Sequence, residues 1–155
     1  MKKSIVLLAF LIIGCGPKLD LGQFEPLVRE FQVEGQKRLG IPININALIV
    51  KRAELQDDSG DILEGECIMG PFVTPTIYVN RLTWPYMDPY QQRAVLFHEL
   101  GHCILLRPHK DTMELFTTGF WTSQRPTSLM NTYVPFGYFS SSTYLKYLDE
   151  LFLER

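Results

Sequence analysis

Two histidines and a glutamate lie close together near the middle of the chain, in the segment His98-Glu99-Leu100-Gly101-His102. Residues four apart on a helix share one face, so both imidazoles can approach one small metal ion. Glu99 projects beside the first histidine, where it can hold a water without binding the metal itself. The three histidines of the chain all lie between positions 98 and 109. This concentration predicts a metal site with a proton-accepting carboxylate.

The third metal ligand is expected just after this helix. Arg107-Pro108 ends the helical pattern, because proline cannot continue a helix and disfavours helical geometry in the residue before it. His109 follows at once and can fold back towards the other two histidines, whereas Asp111 is the alternative third ligand. Three protein ligands leave a fourth position open for water, which is typical of catalytic Zn²⁺ sites.

A second motif follows downstream, in Ser128-Leu129-Met130-Asn131. HELGH, a third histidine and this S-x-M-N sequence together resemble the metzincin zinc endopeptidases, in particular a small bacterial lipoprotein branch, over roughly residues 95–133. The resemblance implies three zinc ligands, a general base and a methionine turn beneath the metal: His98, His102, His109, Glu99 and Met130.

The chain departs from the metzincin pattern HExxHxxGxxH at two points. His109 lies eleven positions after His98 instead of ten, and Leu105 takes the glycine position. Tyr133 follows Met130 by three residues, and the resemblance makes it a candidate transition-state contact, with a packing role as the alternative.

The first fifteen residues have the pattern of an export signal. A basic start and an apolar stretch from Ile5 to Ile13 are too short for a mature membrane-spanning helix. Gly14-Cys15 resembles a bacterial lipobox, which implies cleavage before Cys15 and lipid attachment to its sulfur. The alternative is an ordinary signal peptide with an incidental cysteine. We expect a signal peptide at 1–14, a tether at 15–22 and a lipid-anchored protein in the bacterial cell envelope, outside the cytoplasm.

Composition indicates one folded domain over 23–155, because 46% of the residues are hydrophobic and the length suffices for one core. A net charge of −2 provides no basic surface for nucleic acid. The expected partners are a peptide or protein substrate and the membrane, and the protein is expected to be a monomer.

Cys67 and Cys103 remain once Cys15 carries lipid. Outside the cytoplasm two such cysteines are expected to form a disulfide, which would tie the segment around Cys67 to the helix beside His102. Two buried free thiols are the alternative.

The hydrophobic pattern predicts an α+β fold, in which a small mixed sheet packs on the active-site helix as in zincins and metzincins. Asp88 and Pro89 are suited to start that helix. The region 107–140 shows no clear periodicity. The remaining elements are expected as helices at 23–39 and 142–150 and strands at 43–54, 62–69 and 76–80.

The functional expectation is a zinc-dependent endopeptidase, and the resemblance to metzincins implies that an extended peptide binds along one of the two later strands. Two alternatives remain open at the level of sequence. One is a zinc-containing lipoprotein that binds a partner without catalysis, and the other is a zinc amidase of cell-wall peptides.

Overall fold

The structure is a computed structural model that describes residues 18–136 and 143–154, so Cys15 and the expected signal peptide lie outside the described residues. The helices are α1 (Glu25–Leu39), α2 (Pro89–Cys103) and α3 (Tyr144–Leu153). The strands are β1 (Leu19–Asp20), β2 (Leu48–Ala53), β3 (Gly65–Gly70), β4 (Val73–Asn80), β5 (Met113–Thr118) and β6 (Trp121–Pro126). The predicted α+β class with a small mixed sheet and a C-terminal helix is confirmed.

The main sheet has the strand order β1-β2-β4-β3. β1, β2 and β4 are parallel, whereas β3 runs antiparallel to β4 and forms an edge of the sheet. β1 lies within the stretch expected to be a tether. β5 and β6 form a separate antiparallel hairpin between α2 and the segment 128–131.

The start of α2 follows from its own sequence. The Asp88 carboxylate accepts hydrogen bonds from the backbone N–H groups of Tyr90 and Gln91, and the Gln91 side chain accepts one from the Asp88 N–H. This reciprocal cap satisfies donors that a helix start leaves free, and Pro89 has no donor to satisfy. α2 is buried along most of its length from Ala94 onwards and packs beneath β3 and β4.

α1 packs against both α2 and α3, and Phe31 contacts Phe97 and Phe152 at ring-centroid distances of 5.3 and 4.9 Å. α1 ends where expected, at Gly40, whose φ of 70° is in the left-handed region that glycine adopts readily. Within the described part of the chain, no helix is both long and apolar enough to cross a bilayer.

The second strand begins later than predicted, at Leu48 instead of residue 43. Ile43 packs on α1: its carbonyl accepts a hydrogen bond of 2.8 Å from the Gln32 side chain, and its side chain lies directly over Gly35. Ile43 is therefore buried against α1 and does not belong to the strand, which begins at Leu48.

Candidate metal centre

The three histidines converge on one point. His98 and His102 lie on one face of α2, and His109 follows in the loop after the helix. One ligand atom from each ring lies within 4.8 Å of those of the other two. The Nε2 atoms of His98 and His102 are 3.1 Å apart. His98 is buried, His102 is half-buried and His109 is exposed, so the cluster can hold a metal ion and opens to solvent on one side.

Two backbone carbonyls orient the helical histidines. The Leu129 carbonyl lies 2.8 Å from Nδ1 of His98, and the Arg107 carbonyl lies 2.6 Å from Nδ1 of His102. A carbonyl oxygen only accepts, so each Nδ1 donates and each neutral ring keeps its lone pair on Nε2. Such outer partners fix the tautomer and ring orientation of metal-binding histidines. Both rings therefore present Nε2 to the same point.

The protein also keeps these rings in the form that binds metals. Burial lowers the pKa of His98 to about 4; the hydrogen bond to Leu129 opposes this, and the charges of His102 and His109 lower the pKa further. Burial likewise lowers the pKa of His102. The neutral imidazole that a metal requires is thus the form favoured at neutral pH.

Glu99 packs against a glycine on the edge strand. A Cβ placed on Gly65 would lie 2.6 Å from Oε1 of Glu99 and 2.8 Å from its Cγ, so the carboxylate rests on bare backbone of β3. Burial raises the pKa of Glu99 to about 8, and the negative charge of Glu66 adds to that rise. Gly65 was not predicted as a site residue, although a glycine inside a strand is a known sign of a close approach.

Met130 packs directly against α2. It is fully buried, and its sulfur contacts the position that a side chain on Gly101 would occupy, with its Cε 3.1 Å away. Gly101 lies between the two helical histidines, so its lack of a side chain makes room for the methionine. The resemblance implies a methionine turn beneath the metal, and this role of Met130 stays a prediction.

The turn that carries His109 begins at Leu106. Its φ is 56°, in the left-handed region, and the following N–H of Arg107 donates to the Gly101 carbonyl at 3.0 Å. This is a common way to end a helix, although glycine usually takes the left-handed position. Leu106 stands three residues before His109, the separation between glycine and third histidine in HExxHxxGxxH. The extra residue is therefore accommodated before the turn.

Asp111 does not belong to the metal-binding cluster found among the described residues. Its two carboxylate oxygens accept hydrogen bonds of 2.7 and 2.9 Å from the backbone and hydroxyl of Thr132. Tyr133 is 83% exposed, and its role as a transition-state contact stays a prediction.

A disulfide joins Cys67 on β3 to Cys103 at the end of α2, with 5.8 Å between the Cα atoms. It fastens the edge strand to the helix directly after His102. The sulfur of Cys103 is therefore engaged and does not act as a metal ligand.

A buried ion pair near the centre was not foreseen. Nη2 of Arg107 donates to Oε1 of Glu150 at 2.7 Å, and both side chains are almost fully buried. A glutamate on a predicted surface helix is ordinarily solvated, so the sequence carried no signal for this contact.

Comparisons of the chain with protein-family models, curated proteins and solved structures find no match. The functional interpretation therefore depends on the side-chain geometry described above.

Proposed function

We propose that this protein is a zinc-dependent endopeptidase with a metzincin-like fold, in which Glu99 is the general base. The observation that carries the proposal is the convergence of His98, His102 and His109, together with a buried glutamate, Glu99, that directly follows His98 in the sequence. A structural metal site requires no such carboxylate, whereas hydrolysis requires a group that takes a proton from water.

Zinc fits the donor set. Two nitrogens bound to one tetrahedral zinc at about 2.0–2.1 Å lie roughly 3.3 Å apart. The observed separation of 3.1 Å between Nε2 of His98 and Nε2 of His102 is close to that value. Three imidazoles with an open fourth position are the ligand pattern of catalytic zinc.

No further side chain of the described residues joins the three histidines, since Cys103 is in a disulfide and Asp111 lies outside the cluster, where it accepts two hydrogen bonds from Thr132. This favours an open site over a closed structural one, and hence catalysis over a purely binding role. When bound in such a site, zinc supplies an acidified water and polarises the carbonyl of the substrate.

Glu99 would accept the proton of the attacking water and return it to the leaving amine. Its burial and its contact with Gly65 hold the carboxylate in one place. Burial favours the protonated form of Glu99, and the positive charge of a bound metal ion would lower its pKa and favour the ionised form that accepts a proton.

The edge position of β3 supports an extended peptide as the substrate. β4 is paired on both sides, by β2 and β3, whereas β3 is paired with β4 alone among the described strands. A substrate backbone would therefore add to β3, the strand that also touches Glu99 and is bonded to the end of α2. We propose that the protein cleaves peptides or proteins of the bacterial cell envelope while it is anchored to the membrane through Cys15.

The test is hydrolysis of a mixed peptide library by the zinc-loaded protein beside Glu99→Ala, with the zinc content of both measured. We expect the substitution to lower the rate by about 10²–10⁴-fold while zinc stays bound. Equal cleavage by both proteins at full zinc occupancy would refute the role of Glu99.

A further inference from the structure

Glu150 is a buried carboxylate on α3, a helix that contributes no metal ligand. Its side chain is 5% exposed. Oε1 accepts from Nη2 of Arg107 at 2.7 Å and lies 3.4 Å from Nζ of Lys110, and Oε2 accepts from the N–H of Leu129 at 3.3 Å. A buried carboxylate is costly unless it is paired and hydrogen-bonded, and here both oxygens have partners.

Two of these partners also hold the helical histidines. The backbone N–H of Leu129 donates to Glu150, and the backbone carbonyl of Leu129 accepts from His98. The guanidinium of Arg107 donates to Glu150, while the backbone carbonyl of Arg107 accepts from His102. The two carbonyls that orient His98 and His102 thus belong to residues that are hydrogen-bonded to Glu150.

The third partner is next to the third ligand. Lys110 directly follows His109, and its ammonium group lies between Glu150 and Glu154, 2.6 Å from the latter. Its backbone N–H donates to the Met130 carbonyl at 2.8 Å. The loop that carries His109 is therefore fixed to α3 and to the methionine turn at the same residue.

Arg107 adds a geometric constraint. Its Nη1 donates to the carbonyls of Glu150 and Leu151, at 2.7 and 2.6 Å, near the end of α3. The Glu150 carbonyl also accepts from the N–H of Glu154 at 3.2 Å, and the guanidinium, which binds both carbonyls, is itself held in a fixed plane. Movement of α3 is thereby coupled to the carbonyl that orients His102.

We infer that Glu150 is a positioning residue for the metal centre, because it links α3 to the segments that orient or carry all three histidine ligands. The inference rests on the proposed metal site and concerns how tightly and in what geometry that site binds its ion. Loss of a direct partner of a metal ligand typically weakens metal binding by about 10–100-fold, and a loss at the lower end of this range, about tenfold or more, is expected for Glu150, which binds the partners of the histidines.

The test compares Glu150→Gln with the unaltered protein. Zinc affinity is measured by competition with a chelator at pH 7, and unfolding of the metal-free proteins is followed in parallel. Gln has nearly the size of Glu but cannot accept at both of its terminal atoms, so either the Arg107 or the Leu129 contact is lost. We expect at least tenfold weaker zinc binding and a changed visible spectrum with Co²⁺ in place of zinc.

Glu34→Gln is the matched control. Glu34 is 13% exposed and pairs with Arg38, which also binds Asp149 of α3, so the same substitution is made in a similar ion pair against the same helix. Glu34 has no link to the metal-binding histidines in the described hydrogen bonds. We expect Glu34→Gln to lower stability while leaving zinc affinity within about twofold.

A second variant, Arg107→Lys, addresses the case in which Glu150→Gln fails to fold. It keeps the positive charge but loses the planar fork of donors, and we expect weaker zinc binding again. Unchanged affinity and an unchanged Co²⁺ spectrum in the folded variants would overturn the inference. Absence of zinc binding by the unaltered protein would instead overturn the metal site itself, and the inference with it.

Discussion

Gly65→Ala is expected to disable Glu99 without touching a metal ligand. The added methyl carbon would stand 2.6 Å from Oε1, 2.8 Å from Cγ and 3.0 Å from Cδ of Glu99. Carbon and oxygen atoms in contact are separated by about 3.3–3.6 Å, so the carboxylate oxygen must move by roughly 0.8 Å. Glu99 is buried against β3, and the new methyl group would occupy space that the Glu99 side chain now fills.

The cost in rate follows from that displacement. Misplacing a catalytic group by about 1 Å can reduce the rate by ~10²-fold, and we expect kcat/KM to fall by about this factor. Zinc affinity should change little, because Glu99 is not a ligand. The fold should survive, since alanine is favoured over glycine in a strand by about 0.5–1 kcal/mol, which offsets part of the crowding.

Gly70→Ala is the matched control on the same strand. A Cβ at Gly70 meets no atom within 4 Å, and its φ is not in the left-handed region. Both variants are assayed for peptide hydrolysis at full zinc occupancy. Full activity of Gly65→Ala, or an equal loss in Gly70→Ala, would refute the argument that β3 positions the general base.

Three further predictions concern the turn, the disulfide and the anchor. Leu106→Gly should raise the free energy of unfolding by about 1 kcal/mol in urea titrations, because Leu106 is 70% exposed and has a left-handed φ. Leu105→Gly is the control and should lower the free energy of unfolding, because Leu105 is partly buried and its φ is not left-handed. The Cys67–Cys103 disulfide closes a loop across 36 residues, so its reduction should lower the free energy of unfolding by about 4 kcal/mol through chain entropy. An unchanged unfolding midpoint after reduction would contradict this. Cys15→Ser should move the full-length protein expressed in bacteria from the membrane to the soluble fraction, and retention in the membrane would argue against lipid attachment at Cys15.

The helices were largely predictable because their signals are local. Asp88 and Pro89 start α2 where expected, and the left-handed Gly40 ends α1. The histidine cluster was predictable for the same reason, since its three members lie within twelve positions of the sequence. Spacing along one helix and its first turn decides most of the geometry of that cluster.

The hairpin of β5 and β6 was missed because neither strand shows an alternating apolar pattern. Leu115 is 74% and Trp121 is 83% exposed, so the strands have little buried face. Their two-residue connection, Gly119-Phe120 with Gly119 at a φ of 60°, is a known hairpin signal, but it lacks the flanking hydrophobic runs that make it recognisable.

Apart from the disulfide between Cys67 and Cys103, which was predicted, contacts between distant segments could not be predicted from the sequence. Gly65 meets Glu99 across 34 positions, and Glu150 meets Arg107 across 43. A glutamate on a helix is common and does not stand out by type, and a glycine in a strand indicates a close approach without showing which residue it meets. Their roles arise only when the sheet and α3 close around α2.

The most direct test of the three-histidine centre is a zinc titration of the protein beside His109→Ala and Asp111→Asn. We predict one zinc per chain, a loss of affinity of more than about 100-fold in His109→Ala, beyond the range for outer-shell partners, and nearly unchanged binding in Asp111→Asn. No zinc binding by the unaltered protein, or loss of zinc in Asp111→Asn with retention in His109→Ala, would contradict the three-histidine centre.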